Sequence, residues 1–115
     1  MSDRPRYHMT RQEQIDDICH TIVREFSPDK LVLFGSEARG SARADSDIDL
    51  LVVMPFAGSP LKQATKIYGS IDRRQIAVDL LVRTPEQLRE RERIGDVFFH
   101  ELMSTGKVIH ERTHR

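Results

Sequence analysis

Gly35-Ser36-Glu37-Ala38-Arg39-Gly40, followed by Asp47-Ile48-Asp49 at the head of the apolar run Leu50 to Met54, is the stretch on which the fold turns. Two carboxylates spaced i, i+2 on a strand point to the same face, because side chains alternate across the pleat. Here they come just after a glycine-bounded turn, an arrangement suited to a metal ion and a phosphate. A third carboxylate, Asp79, lies inside Ile76-Ala77-Val78-Asp79-Leu80-Leu81-Val82. A charge buried there without a partner would be strongly disfavoured, so the run predicts a compensating cation beside Asp79.

Outward from this stretch the chain alternates strands and helices. Lys30 to Phe34 reads as a short strand running directly into the Gly-Ser turn. Asp47 to Met54 is the next strand, with Asp47, Asp49, Leu51 and Val53 on one face and Ile48, Leu50, Val52 and Met54 on the other. Both faces turn apolar after the acids, which predicts a central strand covered on both sides. Upstream, Thr10-Arg11-Gln12-Glu13 has the spacing of a capping box, and Ile15, Ile18, Cys19, Ile22, Val23 and Phe26 trace one helical face until Ser27-Pro28. Cys19 belongs to that stripe and reads as a core residue.

Downstream, Pro55 to Pro60 reads as a loop, Leu61 to Arg74 as a helix running through Gly69, and Ile76 to Val82 as the third strand. Thr84-Pro85-Glu86-Gln87 opens another helix, with Thr84 as N-cap and proline at the first helical position. Asp96 caps a last helix that Gly106 ends, and Lys107 to Ile109 adds an edge strand. Residues 1–9 read as a flexible leader and 10–115 as a single domain, without internal repeat or linker.

A length of 115 residues gives room for one core and is too short for a nucleotide-binding domain plus a separate substrate domain. Acidic and basic residues balance at 18 each, so no overall field draws the chain to nucleic acid and no nucleic-acid surface is evident. Cys19 is the only cysteine, which excludes an intrachain disulfide and fits a reducing compartment. The polar start, Met1 to Arg6, lacks a secretory signal and no segment reaches the length of a membrane span, so a cytoplasmic location is expected.

Each motif has a plainer reading beside it. The turn from Gly35 has the Gly-x-x-x-x-Gly spacing of a phosphate loop, but Ser41 stands where that motif needs lysine, which argues against a P-loop. Exposed amides after Gly35, the Ser36 hydroxyl and the Arg39 cation still suit phosphate, against the ordinary alternative of a tight turn with Ser36 as helix cap. Asp47 and Asp49 alone could be turn chemistry, and Asp45 reads as a solvated turn residue. With Asp79 the three acids fit two magnesium ions that clamp the attacking and leaving oxygens of a phosphoryl displacement. His110-Glu111-Arg112-Thr113-His114 matches the H-E-x-x-H zinc pattern letter for letter, yet that pattern needs a packed helix and lies here at the chain end. His8, His20 and His100 have no partner at metal spacing.

Together, Gly35-Ser36, ten intervening residues, Asp47-x-Asp49 and a later Asp79 among apolar residues resemble the signature of the DNA polymerase β-like nucleotidyltransferases. The resemblance runs from about Lys30 to Val82. It is finest to the minimal nucleotidyltransferase group, in Gly-Ser-x-Ala-Arg-Gly, in Ser-Asp-Ile-Asp-Leu-Leu-Val, and in a closing segment like Thr84-Pro85-Glu86 through Gly106-Lys107-Val108-Ile109. It implies an α/β (α+β) fold, a small mixed β-sheet flanked by helices. It also gives the Gly35 backbone and Ser36 to the nucleotide β/γ-phosphates and Arg39 to the triphosphate charge. Asp47 and Asp49 would hold two Mg²⁺ ions, and Asp79 would bind the catalytic ion and help activate the attacking hydroxyl. The implied activity is transfer of AMP from ATP to a hydroxyl of a partner protein, by the antitoxin of a module whose toxin is of the all-helical HEPN type. Larger members carry a helical region that grips base and acceptor, for which this chain has no residues left. The alternatives are an antitoxin that acts by binding alone and transfer to a small molecule of the aminoglycoside kind.

Overall fold

The computed structural model describes residues 9–71 and 76–113. In chain order the elements are α1 (Arg11–Phe26), β1 (Lys30–Phe34), α2 (Ser36–Arg39), β2 (Ile48–Val53), α3 (Pro60–Tyr68), β3 (Val78–Arg83), α4 (Pro85–Arg93), α5 (Val97–Thr105) and β4 (Lys107–Glu111). The leader expected over residues 1–9 lies outside the described residues but for Met9.

Helix α1 starts at its capping box: the Glu13 amide donates to Thr10 Oγ1 and the Thr10 amide to Glu13 Oε1. It ends at Ser27, which takes a left-handed backbone with φ 45°, and Pro28 prevents continuation. The same reciprocal cap at Thr84 and Gln87 opens α4 with Pro85 in its first turn. Asp96 accepts from the Phe99 amide to start α5.

The four strands lie in the order β3-β2-β1-β4. β1 is antiparallel to β2 and β4, whereas β2 and β3 run parallel, as a strand-helix-strand crossover through α3 requires. The sheet is therefore mixed and its two central strands are β1 and β2. Period-two alternation sends Leu31, Leu33, Ile48, Leu50 and Val52 to one face, where they pack with Ile15, Ile18 and Ile22 of α1 and Ile67 of α3. Val32, Leu51 and Val53 face the other way and meet Phe99 and Leu102 of α5. Burying each such aliphatic side chain is worth about 1.5–3 kcal/mol, so β2, covered on both faces, anchors the fold.

Three expectations change. The helix expected from Leu61 to Arg74 begins at Pro60 behind its N-cap Ser59 and ends at Tyr68. Gly69, Ser70 and Ile71 form a turn, stabilised by the Ser70 hydroxyl on the Ile67 carbonyl, while positions 72–74 lie outside the described residues. Apolar periodicity carried the reading past a glycine at which α3 stops. Asp79, expected to be buried, is exposed, because β3 is an edge strand and the face carrying Asp79 is open at this end. No charge is buried there, and the compensating cation that burial would have demanded loses its reason. His110 and Glu111 of the zinc-like pattern sit on strand β4 rather than a helix, and His114 lies outside the described residues.

Edge strand β4 carries a bulge against β1 between Leu31 and Val32, and a lysine at its start, both of which blunt an exposed sheet edge. At the opposite edge the Tyr68 hydroxyl accepts from the Leu80 amide at 2.8 Å, so α3 satisfies part of the open edge of β3 beside Asp79. No helix among the described residues is long and apolar enough to cross a membrane.

Candidate active site

Asp49 and Asp79 are direct partners in the parallel β2–β3 register, so their side chains leave the sheet side by side on one face. On its other side Asp49 is paired with Phe34, the last residue of β1. Gly35 follows at once with φ 72° and ψ −149°, a conformation that essentially only glycine adopts. A Cβ at Gly35 would lie 2.2 Å from Asp49 Oδ2. The glycine thus serves two purposes: it turns the chain into α2, and it leaves room for the carboxylate.

Ser36 is the first residue of α2 and Gly35 its cap, so Ser36 is not the helix cap of the ordinary-turn reading. Arg39 ends α2 and is exposed. Asp47, expected as the first residue of the strand, is instead exposed in the loop just ahead of β2, which starts at Ile48.

Gly35, Arg39, Asp49 and Asp79 line one side of a cleft of about 540 Å³. Phe34, beside Asp49 on the sheet, and Phe98, Glu101, Leu102 and Thr105 of α5 complete the lining. Phe98 stands edge-on to Phe34, with ring centroids 6.2 Å apart. Ser36 and Asp47 adjoin this lining in the chain without being part of it. Of the six residues singled out in the sequence, four therefore share one cleft.

The carboxylates interact. Partial burial holds the Asp49 carboxyl above its ordinary value, and repulsion from Asp79 and then Asp47 pushes it further, partly offset by Arg39. A site that raises the cost of its own negative charge favours a cation among those oxygens. Among the described residues no three His, Cys, Asp or Glu side chains are grouped closely enough to cage a metal ion. The donor set of hard, paired carboxylates nevertheless fits magnesium, which takes one or two protein carboxylates and completes its shell with water and substrate phosphate.

The α5 side of the cleft was not legible in the sequence. Glu101 and Thr105 lie on the polar side of a short helix, a pattern identical to any solvated face. Phe98 could have been noticed as an aromatic outside the buried stripe, but nothing in its spacing points to the acids. Cys19, by contrast, is where its stripe puts it: buried, with its thiol pushed up to about 12 by desolvation and then Asp16, and so inert.

A sequence model of the nucleotidyltransferase domain family matches residues 15–102. Among solved structures, the chain is similar to a presumptive nucleotidyltransferase from Sulfolobus solfataricus, with a TM-score of 0.60 and 20% identity over 86% of this chain and 78% of that one. It is also similar to a chain of a toxin-antitoxin assembly with AMP-PNP, with a TM-score of 0.53 and 21% identity over 90% of this chain and 76% of that one. No curated protein sequence matches at a significant level.

Proposed function

This chain belongs to the nucleotidyltransferase domain family, with a polymerase β-like fold, and from that premise we propose that it transfers AMP from ATP to a hydroxyl of a partner protein. The observation that carries this reading is the pairing of Asp49 with Asp79 at matched register on a cleft that also holds Arg39. In this reading Asp47 and Asp49 would hold two magnesium ions, and Asp79 would share the catalytic one. When bound, magnesium supplies Lewis-acid charge at the α-phosphate and neutralises the departing pyrophosphate.

The chain's own groups do the rest. The Gly35 backbone and Ser36 hold the β/γ-phosphates, and Arg39 offsets triphosphate charge from the end of α2. The Asp79 carboxylate, exposed at the cleft, accepts the hydrogen of the incoming hydroxyl and orients its oxygen toward the α-phosphorus. The new oxygen–phosphorus bond forms as the bond to pyrophosphate breaks, and the proton leaves through Asp79 to solvent. The cleft is open, which leaves room for an acceptor delivered by another protein. The likeness to a toxin-antitoxin assembly with AMP-PNP, an ATP analogue, supports an adenine nucleotide and a toxin partner, here proposed to be of the HEPN type in the cytoplasm.

The test is to mix the chain with its neighbouring gene product, ATP and Mg²⁺ and weigh the intact partner. Mass increments of roughly 330 Da per AMP are expected, and Asp47→Asn with Asp49→Asn should abolish them. A partner that is neutralised without gaining mass, and equally so by the double variant, would replace this reading with an antitoxin that acts by contact.

A further inference from the structure

The Arg11 side chain joins three segments that the sequence keeps apart. Its Nε donates to Glu37 Oε1 at 2.8 Å, one terminal nitrogen to the Ser46 carbonyl at 2.9 Å, and the other to the Ala44 carbonyl at 3.3 Å. The side chains of Arg11 and Glu37 are only 23% and 18% exposed, so solvent screens this pair less than a surface pair. Glu37 follows Ser36 in α2, and Ser46 immediately precedes Asp47. One guanidinium at the start of α1 therefore ties the phosphate side of the cleft to the loop that delivers the first carboxylate.

Among the described residues, the Ser41 amide on the Ser36 carbonyl at 3.0 Å joins the start of that loop to α2, while its far end carries the Arg43 amide on Ser46 Oγ at 2.8 Å and the Ser46 amide on the Arg43 carbonyl at 3.0 Å. The last two shape the turn from Arg43 to Ser46 without fixing it to another element, which Arg11 does. Arginine suits the task because its planar fork presents donors in set directions, whereas lysine is a point charge on a flexible stem. Arg11 also precedes residues 15–102, the segment matched by the family model.

We propose that Arg11 is a positioning residue for nucleotidyl transfer, which rests on the reading above: it holds the Ser36 turn and Asp47 at a fixed separation, so that triphosphate and carboxylates meet without rearrangement. Groups that orient metal ligands in this way typically contribute 10–100-fold in affinity or activity, although they touch neither metal nor substrate.

Two variants and two readouts test this. In Arg11→Ala, amide exchange measured by NMR should quicken at Ser46 while the amides of Ile18 and Ile22 in α1 keep wild-type protection. The calorimetric Kd for AMP-PNP with Mg²⁺ should weaken about 10–100-fold. Arg11→Lys, which keeps the charge but not the fork, should fall between. Wild-type affinity in either variant, unchanged exchange at Ser46, or equal loss of protection throughout α1 would overturn the positioning role. If the wild type itself takes up no AMP-PNP with Mg²⁺, the nucleotidyltransferase reading fails and takes the positioning role with it. Wild-type binding with an unaltered Arg11→Ala affinity overturns the positioning role alone.

Discussion

At the scale of single residues, Asp49 concentrates the conflict between stability and chemistry. Its carboxyl is raised above the ordinary 3.8 by desolvation and by two acidic neighbours. A raised acid binds its proton more tightly folded than unfolded. Stability therefore falls as pH rises from 3.8 through the raised value, and above that value the full penalty is present. Asp49→Asn removes the penalty. The variant should be as stable as the wild type at pH 7 or more stable, by up to about 1 kcal/mol given solvent screening, and this advantage should vanish below pH 3.8. Urea denaturation at the two pH values measures it. A clear loss of stability at pH 7 would mean that the carboxylate accepts structural hydrogen bonds and is not primarily a cation ligand.

At the scale of elements, the caps did most to set boundaries: Thr10 with Glu13, Thr84 with Gln87, and Asp96 each start a helix where the side chain meets orphan amides. Gly106 ends α5 for a different reason. Its φ of −72° is open to any residue, but a Cβ there would lie 2.6 Å from both the Leu102 carbonyl and Val32 Cγ1. The glycine lets α5 turn closely over β1 into β4, which keeps Phe98 and Glu101 over the cleft. Gly106→Ala should cost about 1–3 kcal/mol in equilibrium unfolding, the range for overpacking a close contact. A cost within a few tenths of a kcal/mol would show that the α5–β4 turn shifts freely and does not fix that wall.

At the scale of the whole molecule, one mixed sheet is covered on one face by α1 and α3 and partly on the other by α5, and the cleft opens where the second cover ends. Mg²⁺ and ATP are expected to bind jointly, since the raised Asp49 disfavours the apo carboxylate cluster and the triphosphate adds charge of the same sign. At a hundredfold excess over Kd the pair should stabilise the native state by about 2.7 kcal/mol, a rise in Tm of roughly 10 °C, with either ligand alone giving much less. Thermal unfolding followed by circular dichroism would show it. ATP raising Tm equally with and without Mg²⁺ would count against metal ligation by these acids.

The sequence by itself determined what depends on neighbours along the chain. The unbroken apolar run after Asp49 established β2 as a strand buried on both faces, and local capping chemistry established where α1, α4 and α5 begin. The glycine turn, Asp47-x-Asp49 and the later Asp79 together carried the resemblance to the nucleotidyltransferases. What depended on contacts between distant segments was decided only by the tertiary structure. Apolar flanks could not tell an exposed edge position from a buried one, so only the strand order put Asp79 at the open edge, in register with Asp49. The α5 wall and the Arg11 clamp were illegible for the same reason. A guanidinium at position 11 meets carbonyls 33 and 35 residues away, and no local spacing records that meeting. It exists because α1 packs on the sheet with its first turn beside the loop into β2, a consequence of burying Ile15, Ile18 and Ile22 together with β1 and β2.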